Sequence, residues 1–384
     1  MFILFLILPL LPLALIWHCL KNSSRSLLRL MLTVTFSLLF TAYYLNGMDW
    51  SIYFLKFIDD SDPYSSFEIG FVVFFKTLLF ISNDNYGVAT LIYYLICFGL
   101  LKNTLKRFVV NEPLFWVALF LLFGYTLILE QLRQLMACII VFYSVLDFNE
   151  KRNKLRLVLL LLLAASFHTS ALIMIPAVFL ASYRNVNLFI TITLSSIIGI
   201  IVILFIGYSV ILQFSQLSFV FAKIAYYMHE NPISLAFGWL NVIDLLFILF
   251  YLYYRHVIER NVNVKFLARL IFIGATIHLF SGVITFLARV SFYFYFLAIY
   301  IYCFSLNNNE ERYFAIKNYN TLILSLFFVS MLILSFGSYF RNVSAPIAFD
   351  NLTFRLSPFF DNAYVRKLAN EKFFEANQKT SGTL

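Results

Sequence analysis

Long apolar stretches alternate with short polar connections along most of the chain. Each stretch approaches the roughly 20 residues that a helix needs to cross a bilayer, so the pattern predicts a series of transmembrane helices. The predicted spans lie near residues 2–20, 29–46, 86–101, 113–129, 133–148, 188–207, 237–254, 266–285, 288–305 and 320–339, and one longer apolar stretch covers 157–182. The first segment lacks the basic leader and cleavage site of a signal peptide, so we expect it to be a span.

The connections differ sharply in basic charge, and this difference predicts the topology. Loops rich in lysine and arginine stay on the cytoplasmic side of the membrane. The basic connections carry Lys21, Arg25 and Arg29; Lys102, Lys106 and Arg107; Lys151, Arg152, Lys154 and Arg156; Arg184; Arg255, Arg260 and Lys265; and Arg312 and Lys317. We therefore expect these connections inside and the others outside.

The stretch 157–182 decides how many spans the chain has. As one helix it would be about 39 Å long, which is long for a hydrocarbon core of about 30 Å, and it would invert every later connection. As a hairpin of two arms of about 18 Å, with His168 at the tip, it keeps the later basic connections inside. A hairpin buried among other helices and facing a water-filled recess can satisfy its backbone. We therefore predict an all-α polytopic membrane protein with about twelve transmembrane helices and both termini outside.

The domain organisation follows from these spans. We predict a single membrane domain over residues 1–340 and a polar tail over 341–384, placed outside. Two long outer segments interrupt the membrane domain. The first, about 47–85, contains an interfacial or re-entrant helix over 67–81. The second, about 208–236, is amphipathic and is predicted to form a lid.

Composition supports the class and narrows the chemistry. Hydrophobic residues make up 62% of the chain, charged residues only 12%, and the mean hydropathy is +0.87, which together indicate a membrane protein. The net charge of +9 reflects basic residues beside the spans, so we predict no nucleic-acid partner. The four cysteines lack metal-ligand or redox spacing, and no phosphate-binding glycine loop or hydrolase motif is found. We predict no metal and no cofactor.

Three polar islands lie inside apolar surroundings and are the main candidates for function. Their central residues are Arg133, His168 and Arg289. An ionisable group in hydrocarbon is costly, so each marks a functional site by default, and the predicted topology puts all three on the outer side. Two arginines there would form an anion site, since arginine stays charged and matches phosphate oxygens. His168 would act as a general base or donate to a phosphate. The alternatives are arginines that snorkel to headgroups and a histidine that caps a helix.

Other polar residues are weaker candidates. Asp49 and Glu68, in the first outer segment, would orient sugar hydroxyls or accept a proton; the alternative is a pair of solvated loop acids. His278, Asn241 and Asp244 lie in predicted spans and are interpreted as supporting or packing groups.

At these residues the chain resembles the EpsG/Wzy-type polysaccharide repeat-unit polymerases of bacterial O-antigen, capsule and exopolysaccharide pathways. The resemblance covers about residues 47–294. The matching pieces are Gly47-Met48-Asp49-Trp50 with Tyr53, Phe67-Glu68 with Gly70-Phe71, Leu132-Arg133-Gln134, Phe167-His168 with Ser170-Ala171-Leu172, and Arg289 with Tyr293-Phe294. The tail after residue 340 has no counterpart in the family pattern.

The resemblance implies a GT-C-like glycosyltransferase in the bacterial cytoplasmic (inner) membrane, with its site facing the periplasm. Its donor and acceptor would both be undecaprenyl-diphosphate-linked oligosaccharides, which need no cofactor because the diphosphate linkage is already activated. A flippase and a chain-length regulator would be its protein partners.

The resemblance also assigns roles to residues. Arg133 and Arg289 would stabilise the diphosphate leaving group. His168 would deprotonate the acceptor hydroxyl, with Glu68 and Asp49 as competitors. The predicted substrate-binding residues are Gln134, Tyr293, Trp50, Tyr53, Glu130 and His278, of which Trp50 and Tyr53 would stack on the acceptor sugar.

Two other functions fit many spans and buried cations. A flippase for lipid-linked oligosaccharides is the first alternative, although it would need polar residues at several depths because its site opens to both sides in turn. A ligase-like enzyme that transfers the same donor to the lipid A core is the second. The order of the motifs favours the polymerase.

Overall fold

The computed structural model describes residues 6–46, 49–59, 62–108, 111–206, 239–260, 262–281, 286–305 and 361–381. Within these ranges the chain forms helices and turns, with no strand. This agrees with the predicted class, because a chain segment in hydrocarbon must satisfy its own backbone hydrogen bonds, as a helix does. The predicted lid at 208–236, the predicted span at 320–339 and residues Gly47 and Met48 lie outside the described residues.

The helices are numbered in chain order. They are α1 (Leu10–Ile16), α2 (Asn22–Tyr43), α3 (Trp50–Phe54), α4 (Ile69–Ile81), α5 (Tyr86–Phe108), α6 (Glu112–Phe123), α7 (Leu132–Lys151), α8 (Lys154–Phe167), α9 (Met174–Ala181), α10 (Val186–Ile206), α11 (Trp239–Ile258), α12 (Val262–Leu279), α13 (Phe286–Ser305) and α14 (Asn362–Ser381). Two π-helical segments, Leu55–Asp59 and Gly124–Leu129, extend α3 and α6. Three of the described helices, α2, α5 and α7, are long and apolar enough to cross a membrane.

The chain divides into two compact units. The first comprises Met1–Tyr143, Leu159–Thr169 and Ser335–Leu384, and the second comprises Ser144–Val158 and Ser170–Leu334. Of the three boundaries in the middle of the chain, one lies inside α7, one inside α8 and one just after α8.

Aromatic packing forms the core of the first unit. Helices α2, α5 and α6 meet through Phe36, Phe98 and Phe120, and the ring centroids of Phe36 and Phe120 are 4.7 Å apart. A second aromatic cluster joins the outer segment to α5, where Phe75 contacts both Tyr86 and Tyr93. Such pairs stabilise a fold beyond the area they bury, and they make the surroundings of the outer segment rigid.

Local chemistry explains where the helices of the first unit begin. Helix α6 starts after Asn111, whose side chain accepts a hydrogen bond from the backbone N–H of Leu114 at 3.3 Å. Helix α4 ends in a tight turn in which Asn83 and Asp84 adopt positive φ angles of 50° and 58°. Short polar residues tolerate this conformation, so the chain can turn directly into α5.

The tail helix α14 belongs to the first unit and packs against α3. Its buried residues Val365 and Ala369 form one face, as expected for an i, i+4 pair. Asn362 caps α5: its Oδ1 accepts from the Tyr86 N–H at 3.1 Å and its Nδ2 donates to the Asp84 carbonyl at 2.6 Å. The tail helix is therefore attached to the outer segment that contains α3 and the 82–85 turn.

The second unit is built around α12, which packs against α9, α10, α11 and α13. Within α12, Arg269 forms a two-point ion pair with Glu259. The Nε–Oε1 and Nη2–Oε2 distances are 2.7 and 2.5 Å. Close packing with α13 relies on Gly274, because a Cβ there would lie 2.2 Å from the Cβ of Phe294.

The stretch 157–182 is interrupted where the hairpin prediction requires it. Helix α8 ends at Phe167, His168 lies in the break, and a 3-10 turn over Thr169–Ile173 leads into α9. Continuous helix over the whole stretch is thus excluded. The reversal of chain direction stays a prediction.

Candidate active site

The site of the first unit is centred on a buried ion pair between Glu68 and Arg133. Glu68 immediately precedes α4, and Arg133 lies in the first turn of α7. Arg133 Nη1 donates to Glu68 Oε2 at 2.5 Å, and the two side chains are only 16% and 7% exposed. A hydrogen-bonded ion pair of this kind is short and strong, and it fixes both side chains in one orientation.

The second oxygen of Glu68 holds the chain just after His168. Glu68 Oε1 accepts hydrogen bonds from the backbone N–H and the hydroxyl of Thr169, at 3.2 and 3.1 Å. The carboxylate therefore joins the start of α7 to the break after α8.

Aromatic residues surround the guanidinium of Arg133. Its Nε donates to the Tyr53 hydroxyl at 3.4 Å, and its Cζ lies 4.9 Å from the centre of the Phe67 ring. Burial raises the pKa of Tyr53, in the outer segment, to about 12. The hydroxyl therefore keeps its proton at neutral pH, accepts from the arginine through a lone pair and retains an O–H to donate.

One nitrogen of the Arg133 guanidinium, Nη2, has no hydrogen-bond acceptor among the described residues. Nη1 donates to Glu68 and Nε to Tyr53, whereas none of the described residues accepts a hydrogen bond from Nη2. Since the side chain is partly exposed, a fixed cationic donor is available to a ligand.

Sequence features explain why these residues meet. Gly70 lies in the first turn of α4, and a Cβ at this position would lie 2.2 Å from Ser166 Oγ, so only glycine permits this approach of α4 to α8. That approach brings Glu68 to Thr169. The first turn of α7 is held from another side, because the Tyr93 hydroxyl donates to the Leu132 carbonyl. The π-helical segment Gly124–Leu129 ends just before it, and such segments are frequent at functional sites.

The second unit contains a separate polar pair next to the third predicted island. Tyr293 and Ser170 are hydrogen-bonded through their hydroxyls at 2.9 Å. Arg289 is half-buried in the first turn of α13. Tyr293 is four positions later in the helix, an i, i+4 relation, so both side chains lie on one face of the helix.

The second unit also contains a buried Asp–His–Tyr cluster. Asp244, on α11, lies 2.5 Å through Oδ2 from His278 Nδ1 on α12, and Tyr295, on α13, donates its hydroxyl proton to Asp244 Oδ1. Asn241 donates through Nδ2 to the carbonyls of His278 and Leu279, at 3.1 and 3.0 Å. From the sequence, Asp244 and Asn241 are interpreted as supporting or packing groups, and Tyr295 is not singled out.

Comparison with known proteins identifies the family. The model of the EpsG family matches residues 1–348. The chain is a member of the EpsG family. No curated protein and no solved structure matches it. Membership supports a role of the polysaccharide-polymerase type, and with the apolar helices it indicates a membrane protein. The match ends before α14, so the tail helix lies beyond the residues shared with the family model.

The structure places most of the predicted site residues of this EpsG-family chain in the first unit. Glu68, Arg133 and Tyr53 are brought into direct contact. His168 is half-buried beside Thr169, and Asp49 is half-buried just before α3. Trp50 and Gln134 are buried, and Glu130 is half-buried before α7. Arg289, Tyr293 and His278 lie in the second unit. A shared site of all three islands stays a prediction.

Two contacts of the site were missed by sequence reasoning. Thr169 was not singled out from the sequence, and Phe67 was named only as part of a motif piece. A pattern of hydrophobicity cannot reveal a backbone N–H that binds a carboxylate a hundred residues earlier in the chain. Among the described residues, no group of three or more His, Cys, Asp or Glu side chains is placed to hold a metal ion.

Proposed function

We propose that this protein polymerises undecaprenyl-diphosphate-linked oligosaccharide repeat units by glycosyl transfer at the outer face of the cytoplasmic membrane. The single observation that carries the proposal is Arg133, held by Glu68 and Tyr53 in an EpsG-family chain, with no described residue accepting a hydrogen bond from its Nη2. The proposal includes the span number of about twelve and the GT-C-like arrangement, both of which rest on the charge bias of the connections and the resemblance.

Arg133 suits the leaving group of this reaction. As the bond from the sugar anomeric carbon to the diphosphate oxygen breaks, the electron pair stays on the diphosphate and its negative charge grows. A preorganised donor aimed at that oxygen stabilises the transition state more than the ground state. Glu68 and Tyr53 hold the guanidinium in place, so it need not reorganise during the reaction.

Arg289, in the second unit, is proposed to bind phosphate oxygens of a lipid-linked substrate. Its position one turn before Tyr293 gives a cation and a hydroxyl on one helix face. The planar guanidinium of arginine matches the geometry of phosphate oxygens. Asp49, Trp50, Gln134 and Glu130 are proposed to contact the sugars. Glu68 has a different role here from the base considered in the sequence analysis, because both its oxygens are engaged in positioning Arg133 and Thr169.

The test is polymerisation by purified protein in liposomes. Lipid-linked repeats extracted from the source strain would serve as donor and acceptor, and products would be read as a ladder on a gel. Wild-type protein should give a ladder, and Arg133→Ala should lower the rate by a factor of about a hundred or more, since one such contact contributes about 3–4 kcal/mol. Arg184→Ala, an exposed arginine between α9 and α10, is the matched control and should leave the rate unchanged.

Other products would overturn the proposal. Repeats that cross the bilayer without forming a ladder would make the protein a transporter. Transfer of a preformed chain to a lipid A core, without extension of the chain, would make it a ligase. A full rate for Arg133→Ala would remove Arg133 from the reaction.

A further inference from the structure

Three ionisable side chains from three helices meet inside the second unit. Asp244 comes from α11, His278 from α12 and Tyr295 from α13, and Asp244 is 0% exposed. Charged or polar groups buried in a membrane domain are expensive and usually serve a function. The polymerisation mechanism described above makes no use of this cluster.

The hydrogen bonds define the protonation pattern of the cluster. The Tyr295 hydroxyl donates to Asp244 Oδ1, and His278 Nδ1 faces Asp244 Oδ2 at 2.5 Å. In the tautomer in which the His278 ring donates its Nδ1–H to Asp244 Oδ2, both oxygens of Asp244 accept a hydrogen bond. The other ring nitrogen, Nε2, then carries the lone pair.

Nε2 of His278 is the nitrogen that would react. No residue in the described part of the chain forms a hydrogen bond with it. An Asp that orients a neutral histidine and stabilises its charged form is the arrangement by which enzymes prepare a general base. Asn241 fixes the end of α12 by binding the carbonyls of His278 and Leu279, so the ring has a rigid support.

His278 and Arg289 lie at adjoining helix ends within the second unit. His278 is the second-last residue of α12, and Arg289 lies in the first turn of the next helix, α13. Both residues thus border the short connection between α12 and α13, which the charge bias places outside. A base and an anion-binding arginine at one end of a helix pair are what glycosyl transfer from a diphosphate requires.

The neighbouring helices supply few other charges. The segments Met174–Ala181 and Val186–Ile206, which pack against α12, contain no ionisable residue. Helix α7 contacts α12 through the ring of Phe148, which packs against Phe266. Phe266 is 12 residues before His278, or about 18 Å along α12. Among the described ionisable groups of the adjoining helices, Asp244 and Tyr295 contact His278, while Arg255 and His256 lie in the last turn of α11 and Arg289 lies in the first turn of α13.

We propose that His278 is the general base of the polymerisation, and that Asp244 and Tyr295 are its positioning residues. The proposal rests on the proposed function. Nε2 takes the proton of the acceptor hydroxyl while its oxygen bonds to the anomeric carbon of the donor. The bond from that carbon to the diphosphate breaks, and the electron pair leaves with the diphosphate. The charged imidazole is stabilised by Asp244 and afterwards releases its proton to water on the outer side.

This role distinguishes His278 from His168. His168 lies in the break after α8, where its backbone N–H donates to Ala164 at 3.0 Å and its neighbour Thr169 binds Glu68. His278 lies in the second unit, where its ring nitrogen Nδ1 contacts the Asp244 carboxylate. The two histidines can therefore be separated by matched substitutions.

The experiment compares His278→Gln, Asp244→Asn and His168→Gln in the liposome assay across pH. His278→Gln should lower kcat by a factor of about a hundred or more with little change in KM, as expected for a lost general base. The wild-type rate should fall at acidic pH, where the base is protonated, and the residual rate of His278→Gln should lack this fall. His168→Gln should keep the wild-type pH profile.

Asp244→Asn keeps the size of the side chain and tests the positioning role, since it should lower kcat in the same direction even if His278→Gln folds poorly. Thermal unfolding and donor binding would be measured for each variant. A near-wild-type kcat for His278→Gln, or an unchanged acid limb in its pH profile, would overturn the proposal while leaving the polymerase activity standing. Failure of the wild type to form any ladder would instead overturn the proposed function, and the base with it.

Discussion

Arg133 shows how one side chain can stay charged in apolar surroundings. Glu68 supplies the opposite charge, the Tyr53 hydroxyl accepts from Nε, and the Phe67 ring covers one face of the guanidinium. Thr169 in turn stabilises the carboxylate of Glu68. Each contact offsets part of the free energy of removing the ion pair from water, which would otherwise be several kcal/mol for each ion.

Removing the negative partner should therefore cost more than removing a single hydrogen bond. We expect Glu68→Gln to lower the free energy of unfolding by about 2–3 kcal/mol, less than a fully buried pair because Arg133 is partly exposed. Thr169→Val removes one hydroxyl donor and should cost about 1 kcal/mol. Denaturation of both variants in detergent checks the ranking, and equal effects would contradict it.

The raised pKa of Tyr53 gives a pH prediction. Its folded-state pKa of about 12 is above the ordinary value of 10.0, so the unfolded chain loses this proton first as pH rises. The contribution of this pKa shift to the free energy of unfolding is fully present below pH 10 and decreases between about pH 10 and 12. It amounts to roughly 2.7 kcal/mol at most. Tyr53→Phe should flatten this part of the stability curve relative to wild type, whereas an identical curve would show that Tyr53 is solvated.

At the scale of helices, the site depends on how closely α4 approaches α8. Gly70 has no side chain to separate the two helices, and the carboxylate of Glu68 reaches Thr169 as a result. The positive φ angles at Asn83 and Asp84 then turn the chain from α4 directly into α5. Small and turn-forming residues thus position the outer segment over the start of α7.

Gly70→Ala should place a methyl group in contact with Ser166 at far less than van der Waals distance. We expect a loss of about 1–3 kcal/mol in unfolding free energy, as is typical of overpacking, together with reduced activity through displaced Glu68. Gly99→Ala, on α5, is the matched control because a Cβ there has nothing within 4 Å. That control should be neutral or slightly stabilising, since alanine favours helix. Equal losses in both variants would show that α4 and α8 are further apart.

The tail helix offers a second prediction at this scale. Val365 is fully buried in the face of α14 that packs on the first unit, whereas the Arg366–Asp59 pair is partly exposed. Val365→Asp should release α14 and speed its removal by protease, while Arg366→Ala should change little because exposed ion pairs contribute at most about 1 kcal/mol. Limited proteolysis followed by mass spectrometry distinguishes the two, and resistance of Val365→Asp would show that other residues attach the helix.

At the scale of the whole molecule, the two compact units each contain one of the arginines proposed to bind phosphate oxygens. Arg133 is part of the first unit and Arg289 of the second. The proposed reaction needs both at the outer face. The charge bias of the connections, with basic clusters such as Lys102–Lys106–Arg107 and Lys151–Arg152, supplies the physical reason to place them there.

Topology reporters test this arrangement. Fusions after residues 169 and 289 should both report the outer side, and fusions after 106 and 153 the cytoplasmic side. A label at Asn370→Cys, on exposed α14, should report the same side as one at Asp59→Cys, because α14 packs against α3. Opposite sides for 169 and 289 would contradict the predicted placement of both arginines at the outer face.

The sequence by itself determined the all-α membrane class, the positions of the main helices and the candidate functional residues. Apolar stretches of spanning length have few folding options in a bilayer, and an ionisable residue within them is rare enough to be conspicuous. The helices α2, α5 and α7 and the break at His168 were predicted for these reasons. The family resemblance was confirmed over most of the chain.

Only the tertiary structure decided which polar groups meet. The contact of Glu68 with Arg133 spans 65 residues of sequence, that of Thr169 with Glu68 spans 101, and that of Tyr295 with Asp244 spans 51. Such pairings depend on helix packing and on close approaches such as Gly70 against Ser166, and periodicity along one helix carries no information about its partner. For this reason the sequence indicated His278 only as a packing or substrate-binding residue, and the contact with Asp244 makes it a candidate base.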